Sequence, residues 1–343
     1  MSEKNIGVAP PQTPLKSMVS RTLVPSKIFV PLIALIILLL PTSEMLAGPS
    51  MSIEETEDAL TILQDSKPIL QYNKAVQIAP DGIEPIHNRS GYIHPVFTPS
   101  GQVASGDFSE DHAHQRGVFM AGTNTKFRGK KVDFWNLHNK LGRTEHAKTL
   151  STGSSSDSAS FTVQINHVAT DEGNETVVLH ENWTVTGRRG SAKHFVFDIE
   201  SEQTPATDSP LLFNEYHYGG MALRGSNLWT PLKSNPDGTC EFLTSNGHER
   251  LEGNHTRVRW VSMRGVVDGN PASITVLCHP SNFRFPQSVR LHPRMPYFTY
   301  APMFDGEFTI EPGDSYQSRY RYLVTSSKPD ADWIEKQWRA YAE

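Results

Sequence analysis

The residues best suited to chemistry in this chain are histidines, and many of them are concentrated in one stretch. Six of the 14 histidines fall between residues 87 and 146. They are His87, His94, His112, His114, His138 and His146. Because an imidazole can serve as metal ligand, general acid or general base near neutral pH, this stretch is the main candidate for a functional site.

The sharpest element in this stretch is Asp-His-Ala-His at residues 111–114. On an extended backbone, His112 and His114 would point to the same face and could reach one metal ion or one substrate group. A carboxylate such as Asp107 or Asp111 could orient an imidazole. We predict His112 and His114 as catalytic residues, and as the ligands if a metal ion binds. The alternative is structural, with both histidines bonded to turn backbone and Arg116 paired with a local acid.

A second candidate is the segment 213–220, which reads FNEYHYGG. Glu215 and His217 would share one side of an extended segment, and the two glycines would allow close approach of a ligand. We predict Glu215 and His217 as an acid/base pair that faces the first cluster across a cleft. The structural alternative is a core strand in which Glu215 binds an arginine such as Arg224.

Two indoles lie two residues from an acid, Trp135 after Asp133 and Trp183 after Glu181. Sugar sites use aromatic faces beside carboxylates, although such pairs also occur at core edges. The substrate-binding residues predicted from these patterns and from the histidine-rich stretch are His94, Asp111, Trp135 and Glu181.

Several common catalytic motifs are absent from the sequence. It contains no G-x-S-x-G, no H-E-x-x-H, no P-loop and no G-x-G-x-x-G after a strand. Serine hydrolase, zincin metalloprotease, nucleotide enzyme and dehydrogenase are therefore disfavoured.

The elements that must position these residues are mostly strands. From residue 69 onward, short alternating apolar runs are separated by Gly, Pro, Asn and Asp, which is typical of strands and tight turns. Residues 330–342 instead predict a helix capped by Asp330. We expect an all-β fold, a large antiparallel β-sandwich with a short C-terminal helix. One domain would cover residues 69–343, preceded by a flexible or helical lead-in at 48–68.

The N-terminal 47 residues have the features of a secretory signal. An apolar run at 28–40 follows Arg21 and Lys27 and precedes a small residue, Ala47, at the expected cleavage position. The alternative is an uncleaved anchor. Without residues 1–47 the chain has 28 basic and 35 acidic residues, a net charge of −7. We therefore expect a secreted or periplasmic protein with no affinity for nucleic acid or, after cleavage, for membranes.

Several segments resemble a bacterial family usually labelled PmoA-like, or "methane oxygenase PmoA". They are YIHPVFTPSG (92–101), DHAHQRGVF (111–119), VDFW (132–135) with GR (142–143), Glu181 with Trp183, and EYHYGG (215–220). The resemblance implies a sandwich similar to galactose mutarotase, a class that binds sugars in a cleft and often uses His with Glu or Asp. It implies that His112, His114, Glu215 and His217 line the cleft, and that Arg116 holds a hydroxyl or carboxylate.

Together these observations predict a secreted carbohydrate-active enzyme that performs epimerase, lyase or hydrolase chemistry on a sugar or glycoside. One of His112, His114 and His217 would be the general acid, and Glu215 or Asp111 the base or imidazole orienter. No cofactor is required, although a divalent metal could bind. Two alternatives stay open: a non-catalytic sugar-binding module, and a metal-dependent enzyme with His112, His114 and a carboxylate as ligands. Whether Cys240 and Cys278 pair also stays open.

Overall fold

Strands dominate the computed structural model, which describes residues 50–233 and 235–343. The predicted signal segment lies outside these residues. In chain order the strands are β1 Met51–Glu55, β2 Ala59–Gln64, β3 Lys67–Asn73, β4 Tyr92–Val96, β5 Val118–Ala121, β6 Thr125–Phe127, β7 Lys130–Val132, β8 Gly142–Ser154, β9 Ser158–Asp171, β10 Asn174–Ser191, β11 His194–Pro205, β12 Leu211–Phe213, β13 Gly220–Arg224, β14 Glu241–Thr244, β15 Arg257–Val258, β16 Trp260–Val267, β17 Asn270–Cys278, β18 Gln287–Leu291, β19 Tyr297–Tyr300, β20 Phe308–Ile310 and β21 Tyr316–Thr325. The helices are α1 Arg250–Gly253 and α2 Ala331–Ala342.

These strands form two large sheets and one small sheet, all with antiparallel pairing. The nine-stranded sheet has the order β1-β2-β3-β4-β5-β13-β19-β18-β15, and the eight-stranded sheet has the order β14-β16-β17-β21-β11-β10-β9-β8. The small sheet has the order β20-β12-β6-β7. This architecture confirms the predicted fold class, including the short C-terminal helix.

The longest hairpin shows how local sequence sets the strands. β9 and β10 pair from Asp171 opposite Asn174, so that only Glu172 and Gly173 form the turn. Both turn residues have positive φ, 48° and 85°, the conformation that a tight hairpin requires. Along β9 every second side chain from Ala159 to Ile165 is buried, as expected for a strand with one face in the core.

The main core lies between the two large sheets, and strand alternation leaves the other face of the nine-stranded sheet for the site. In β5, Val118 belongs to the core between the sheets, whereas Phe119 belongs to a second apolar cluster. In β18, Val289 and Leu291 belong to the core between the sheets. Arg290 therefore projects from the opposite face of the nine-stranded sheet.

The helix α2 closes one side of the eight-stranded sheet. The Asp330 carboxylate accepts a hydrogen bond from the backbone N–H of Trp333 at 2.8 Å and caps the first turn. Ile334 is fully buried against Trp260 and Leu323. The predicted C-terminal helix and its cap are thus both present.

The lead-in predicted at residues 48–68 differs from the structure. Residues 51–55 and 59–64 are strands β1 and β2, which extend the nine-stranded sheet. Leu60 and Ile62 are fully buried in the main core, so the expectation of a flexible or helical segment is wrong there. Cys240 and Cys278 are both buried free thiols. No helix among the described residues is long and apolar enough to cross a membrane.

Candidate functional site

Five imidazoles meet in one group, here called the histidine cluster: His87, His112, His114, His138 and His292. The ring centroid of His114 lies 6.3 Å from that of His87, 5.3 Å from that of His112 and 5.9 Å from that of His138. The ring of His292 lies 5.9 Å from that of His112. The cluster joins residues that are up to about two hundred positions apart in the chain.

Four separate segments supply these rings. His87 ends a short 3-10 turn at Pro85–His87, and His138 lies in another at Leu137–Asn139. His292 directly follows β18. His112 and His114 lie on residues 107–117, here called the histidine loop, between β4 and β5. This loop is made of turns rather than extended backbone, yet it still brings its two rings together.

A fully buried arginine, Arg116, fixes one side of the histidine loop. Its guanidinium bonds the carboxylate of Asp107 at 2.7 Å and the backbone oxygen of Ala113 at 3.0 Å. It also donates to the backbone oxygen of His87. Arg116 therefore ties the loop to the turn that carries the first histidine of the cluster.

A second fully buried arginine, Arg224 of β13, fixes the other side of the loop. Its guanidinium donates to the Ser109 hydroxyl at 2.7 Å, to the Asp111 carboxylate at 3.0 Å and to the Gln115 amide oxygen at 2.9 Å. Charge-assisted hydrogen bonds of this kind are about twice as strong as neutral ones. The loop is thus held from both flanks by side chains that solvent does not reach.

The end of the loop needs a residue without a side chain. Gly117 has a φ of +23°, and a Cβ there would lie 1.9 Å from the backbone oxygen of Ile93. Any other residue would push the loop away from β4.

Asp111 and His112 form the pair with the clearest chemical use. The Asp111 carboxylate lies 3.6 Å from His112 Nδ1, and the two side chains are 20% and 32% exposed. Burial alone would raise the pKa of Asp111, but the neighbouring His112, the charge of Arg224 and the hydrogen bond from Ser109 outweigh it and hold that pKa far below its usual range. An ionised carboxylate beside an imidazole orients the ring and stabilises its protonated form.

The neighbouring imidazoles of His114 and His292 are neutral at pH 7. Burial, with the charges of His112 and His138, lowers the pKa of His114 to about 3. Burial, with the charge of Arg290 and of His112, lowers the pKa of His292 to about 4. These two rings can accept a hydrogen bond at one nitrogen and donate at the other.

Aromatic side chains continue the site beyond His292. The ring of Tyr297 lies 6.2 Å from His292 and 5.8 Å from Trp135, and Tyr218 lies 5.5 Å from Trp135. Asn136 donates a hydrogen bond to the Tyr218 hydroxyl at 3.0 Å. The buried Tyr297 hydroxyl has no hydrogen-bond partner among the described residues, and burial keeps its pKa well above 10.0. It therefore stays protonated.

Residues 214–219, here called the tyrosine loop, carry the second predicted pair. Glu215 and His217 are exposed, while the tyrosines between and after them are half-buried. His217 lies 4.8 Å from Tyr218 and 6.3 Å from His255, measured between ring centroids. Burial, together with the charge of Arg290, lowers the pKa of both His217 and His292. The charge of one guanidinium thus acts on both the tyrosine loop and the histidine cluster.

Four residues predicted to bind substrate are placed elsewhere or used otherwise. Arg116 is fully buried in the bonds described above, and Trp135 is 1% exposed, so neither presents a surface to a sugar. Glu181 is fully buried and bonds His167 at 2.7 Å, because the carboxylate lies on the apolar side of β10. The Nδ1 of His94 bonds the Ser105 hydroxyl at 2.8 Å.

Three of those expectations are therefore corrected, since burial assigns Arg116, Trp135 and Glu181 to structural roles. His94 makes a local bond outside the histidine cluster, and its role in substrate binding stays a prediction. As for metals, no three His, Cys, Asp or Glu side chains in residues 50–233 and 235–343 are arranged to hold an ion.

Several site residues were missed by sequence reasoning. His87 and His138 belong to the histidine-rich stretch but have no local motif that marks them as functional. His292 and Tyr297 lie far along the chain, and only the pairing of β18 with β19 brings them to the same face. The alternation of Arg290 between two apolar residues is the signal that could have indicated its orientation.

The family of the chain follows from residues 59–339, which match a family of unknown function (DUF6807). The chain therefore belongs to that family. The expected membership of the PmoA-like family is wrong, because the family model that matches is this other one. No curated protein matches the chain.

Three solved structures illustrate the likeness in fold. The heparan sulfate lyase HepC from Pedobacter heparinus is 9% identical, with 83% of this chain and 36% of that chain covered and a TM-score of 0.33. The alpha-N-acetylgalactosaminidase NagBb from Bifidobacterium bifidum is 13% identical, with 86% and 37% covered and a TM-score of 0.31. A GalM/aldose epimerase homologue from C. elegans is 11% identical, with 82% and 100% covered and a TM-score of 0.32.

The chain thus spans 36–37% of the lyase and the glycosidase, and the whole of the epimerase homologue. These TM-scores are low, so the likenesses do not bear on activity.

Proposed function

We propose that this protein is an exported carbohydrate-active enzyme in which His112 transfers a proton to or from a sugar. The observation that carries the proposal is the Asp111–His112 pair, 3.6 Å apart in the histidine cluster. His112 is the proton-transfer group because its ring is partly exposed, whereas the ring of His114 is almost buried.

The remaining groups have supporting roles. Asp111 orients the ring of His112 and stabilises it when protonated. His114 and His292 supply hydrogen bonds that do not compete for the proton, because both imidazoles stay neutral. Such fixed donors suit a ligand with many hydroxyls, and the half-buried rings of Tyr216 and Tyr218 offer apolar faces to sugar C–H groups.

The test is turnover on a panel of monosaccharides, glycosides and oligosaccharides, scored for epimerisation, elimination and hydrolysis. We expect His112→Gln to lower kcat by about 10²- to 10⁴-fold, the usual contribution of general acid–base catalysis. Asp111→Asn should cause a smaller loss and shift the pH profile of kcat/KM. The matched control is His194→Gln, a partly buried histidine that bonds Ser191 at the other sheet.

Each outcome decides between the functions considered. Full turnover by His112→Gln would disprove the proposed role. Sugar binding without turnover by the wild-type protein would make it a binding module. One equivalent of metal by elemental mass spectrometry, lost in His112→Ala/His114→Ala, would instead favour a metal-dependent enzyme.

Export is part of the same proposal and rests on the N-terminal sequence. Cleavage near Ala47 would leave β1 whole, since that strand begins at Met51. Intact mass of the protein from the exported fraction should correspond to a chain that starts near Gly48, whereas a mass that includes residues 1–47 would overturn it.

A further inference from the structure

We infer that the sugar is anionic, and that Arg290 binds its carboxylate beside the histidine cluster. This inference rests on the proposed function and adds the substrate class to it. The starting observation is the position of Arg290 on the site face of β18. Val289 and Leu291 on either side of it are buried between the large sheets, so the arginine must project away from that core.

The guanidinium of Arg290 is half-buried and makes no hydrogen bond or ion pair with any described residue. Asp305, which contacts β18 at Ser288, is already engaged. Asp305 bonds the Ser288 hydroxyl at 3.1 Å and pairs with Arg257 at 3.1 Å. The guanidinium of Arg290 is therefore available to an anionic ligand that enters the site.

Arg290 lies beside the histidine cluster because of its place on β18. Arg290 and His292 alternate with the buried Leu291 and therefore share one face, and the ring of Tyr297 lies 6.2 Å from that of His292. A carboxylate bound to this guanidinium would therefore place the attached sugar ring against the histidine cluster.

A second guanidinium adds positive potential behind the cluster. Arg89 is fully buried, donates one bond to Thr144, and leaves Nε and Nη1 without partners among the described residues. Its charge acts on His114. The carboxylates of the histidine loop, Asp107 and Asp111, are already paired with Arg116 and Arg224.

This local positive charge contrasts with the chain as a whole, whose net charge is −5. The net negative charge of the chain would not attract anions in general. Binding of an anionic sugar would therefore depend on a specific contact in the site. A guanidinium presents a planar fork that matches the two oxygens of a carboxylate, whereas a neutral sugar offers only single hydroxyls. Sulfate offers similar oxygens, and the test separates the two anions.

The test measures binding by calorimetry with three sets of probes of equal length: neutral gluco-oligosaccharides, oligoglucuronates, and sulfated gluco-oligosaccharides. We expect the oligoglucuronate to bind at least about tenfold tighter than the neutral probe, as one charge-assisted contact would give. Arg290→Gln should remove that preference, and Arg290→Lys should restore only part of it because the fork is lost.

The matched control is Arg294→Gln, which removes the same charge from an exposed position four residues away. It should leave the preference for the oligoglucuronate within about twofold. Unchanged thermal unfolding of each variant would establish that the fold is intact.

Equal affinity for neutral and acidic probes, or an unchanged preference in Arg290→Gln, would overturn the inference. Tighter binding of the sulfated probe than of the oligoglucuronate would overturn the carboxylate in favour of sulfate. These outcomes are independent of turnover in His112→Gln. The acid/base proposal can therefore fail while the charge preference stands, and the reverse also holds.

Discussion

The histidine loop and the tyrosine loop both carry an acid and a histidine within three residues, yet their surroundings differ. Asp111 and His112 lie on a loop fixed by two fully buried arginines, and the carboxylate itself bonds Arg224 and Ser109. Glu215 and His217 are exposed, and the ring of His217 contacts the neighbouring rings of Tyr216 and Tyr218.

The difference shows that similar short motifs acquire their chemistry from the elements around them. Proton transfer needs groups that are held in place, and the histidine loop provides this. The tyrosine loop is better suited to contacts that adapt to a ligand, because exposed loop residues are more mobile.

The largest expected effect concerns the anchoring of the histidine loop. Arg116→Met should lower the free energy of unfolding by about 3–5 kcal/mol, because it leaves the half-buried Asp107 without its charged partner and the backbone oxygens of His87 and Ala113 without their donor. Urea denaturation followed by tryptophan fluorescence measures this. His217→Ala in the tyrosine loop is the control and should cost within about 0.5 kcal/mol. Similar losses in both variants would remove the distinction between the loops.

The fold could be predicted well from the sequence because it depends on local alternation. The buried positions of β9 and the cap of α2 are both visible in the printed sequence. The N-terminal strands were missed because IEETEDALTIL has helix-forming residues, and only pairing of β2 with β3 makes it part of a sheet. Tertiary pairing overrode local propensity there.

The candidate site could be predicted only in part. His112 and His114 meet as expected, but turns bring them together rather than an extended backbone. The structural roles of Arg116 and Glu181 depend on which side chains the fold places beside them. The sequence alone does not show these partners. His292 enters the cluster from a distant strand, which no local spacing could have indicated.

The second effect in size is the pH dependence of the free energy of unfolding. It arises because His114 of the histidine loop is buried, whereas His217 of the tyrosine loop is exposed. The pKa of His114 is lowered from 6.5 to about 3 and that of His292 to about 4. Below pH 6.5 the unfolded chain binds protons at these positions while the folded protein does not, so the free energy of unfolding falls as pH falls toward 4. Their joint contribution is on the order of 3 kcal/mol, discounted because His292 is partly exposed.

Urea denaturation at pH 7 and pH 4.5 tests this dependence. In His114→Gln the difference between the two pH values should shrink, because the unfolded variant has one proton fewer to bind. In His217→Gln it should stay nearly the same, since that ring is exposed. An unchanged difference in His114→Gln would show that the ring is not neutral in the folded protein.

The smallest effect is expected from the tyrosine loop in catalysis. On whichever sugar the wild-type protein turns over, Glu215→Gln and His217→Gln should each lower kcat by less than about tenfold, well below the loss expected for a general acid or base. KM should rise more than kcat falls, because these side chains would contact the ligand without transferring a proton. A loss of about a hundredfold in kcat for His217→Gln would mean that this loop supplies the general acid, as its sequence suggests. Each loop would then supply one proton-transfer group. The different surroundings of the two loops would set the different pKa values that a general acid and a general base need.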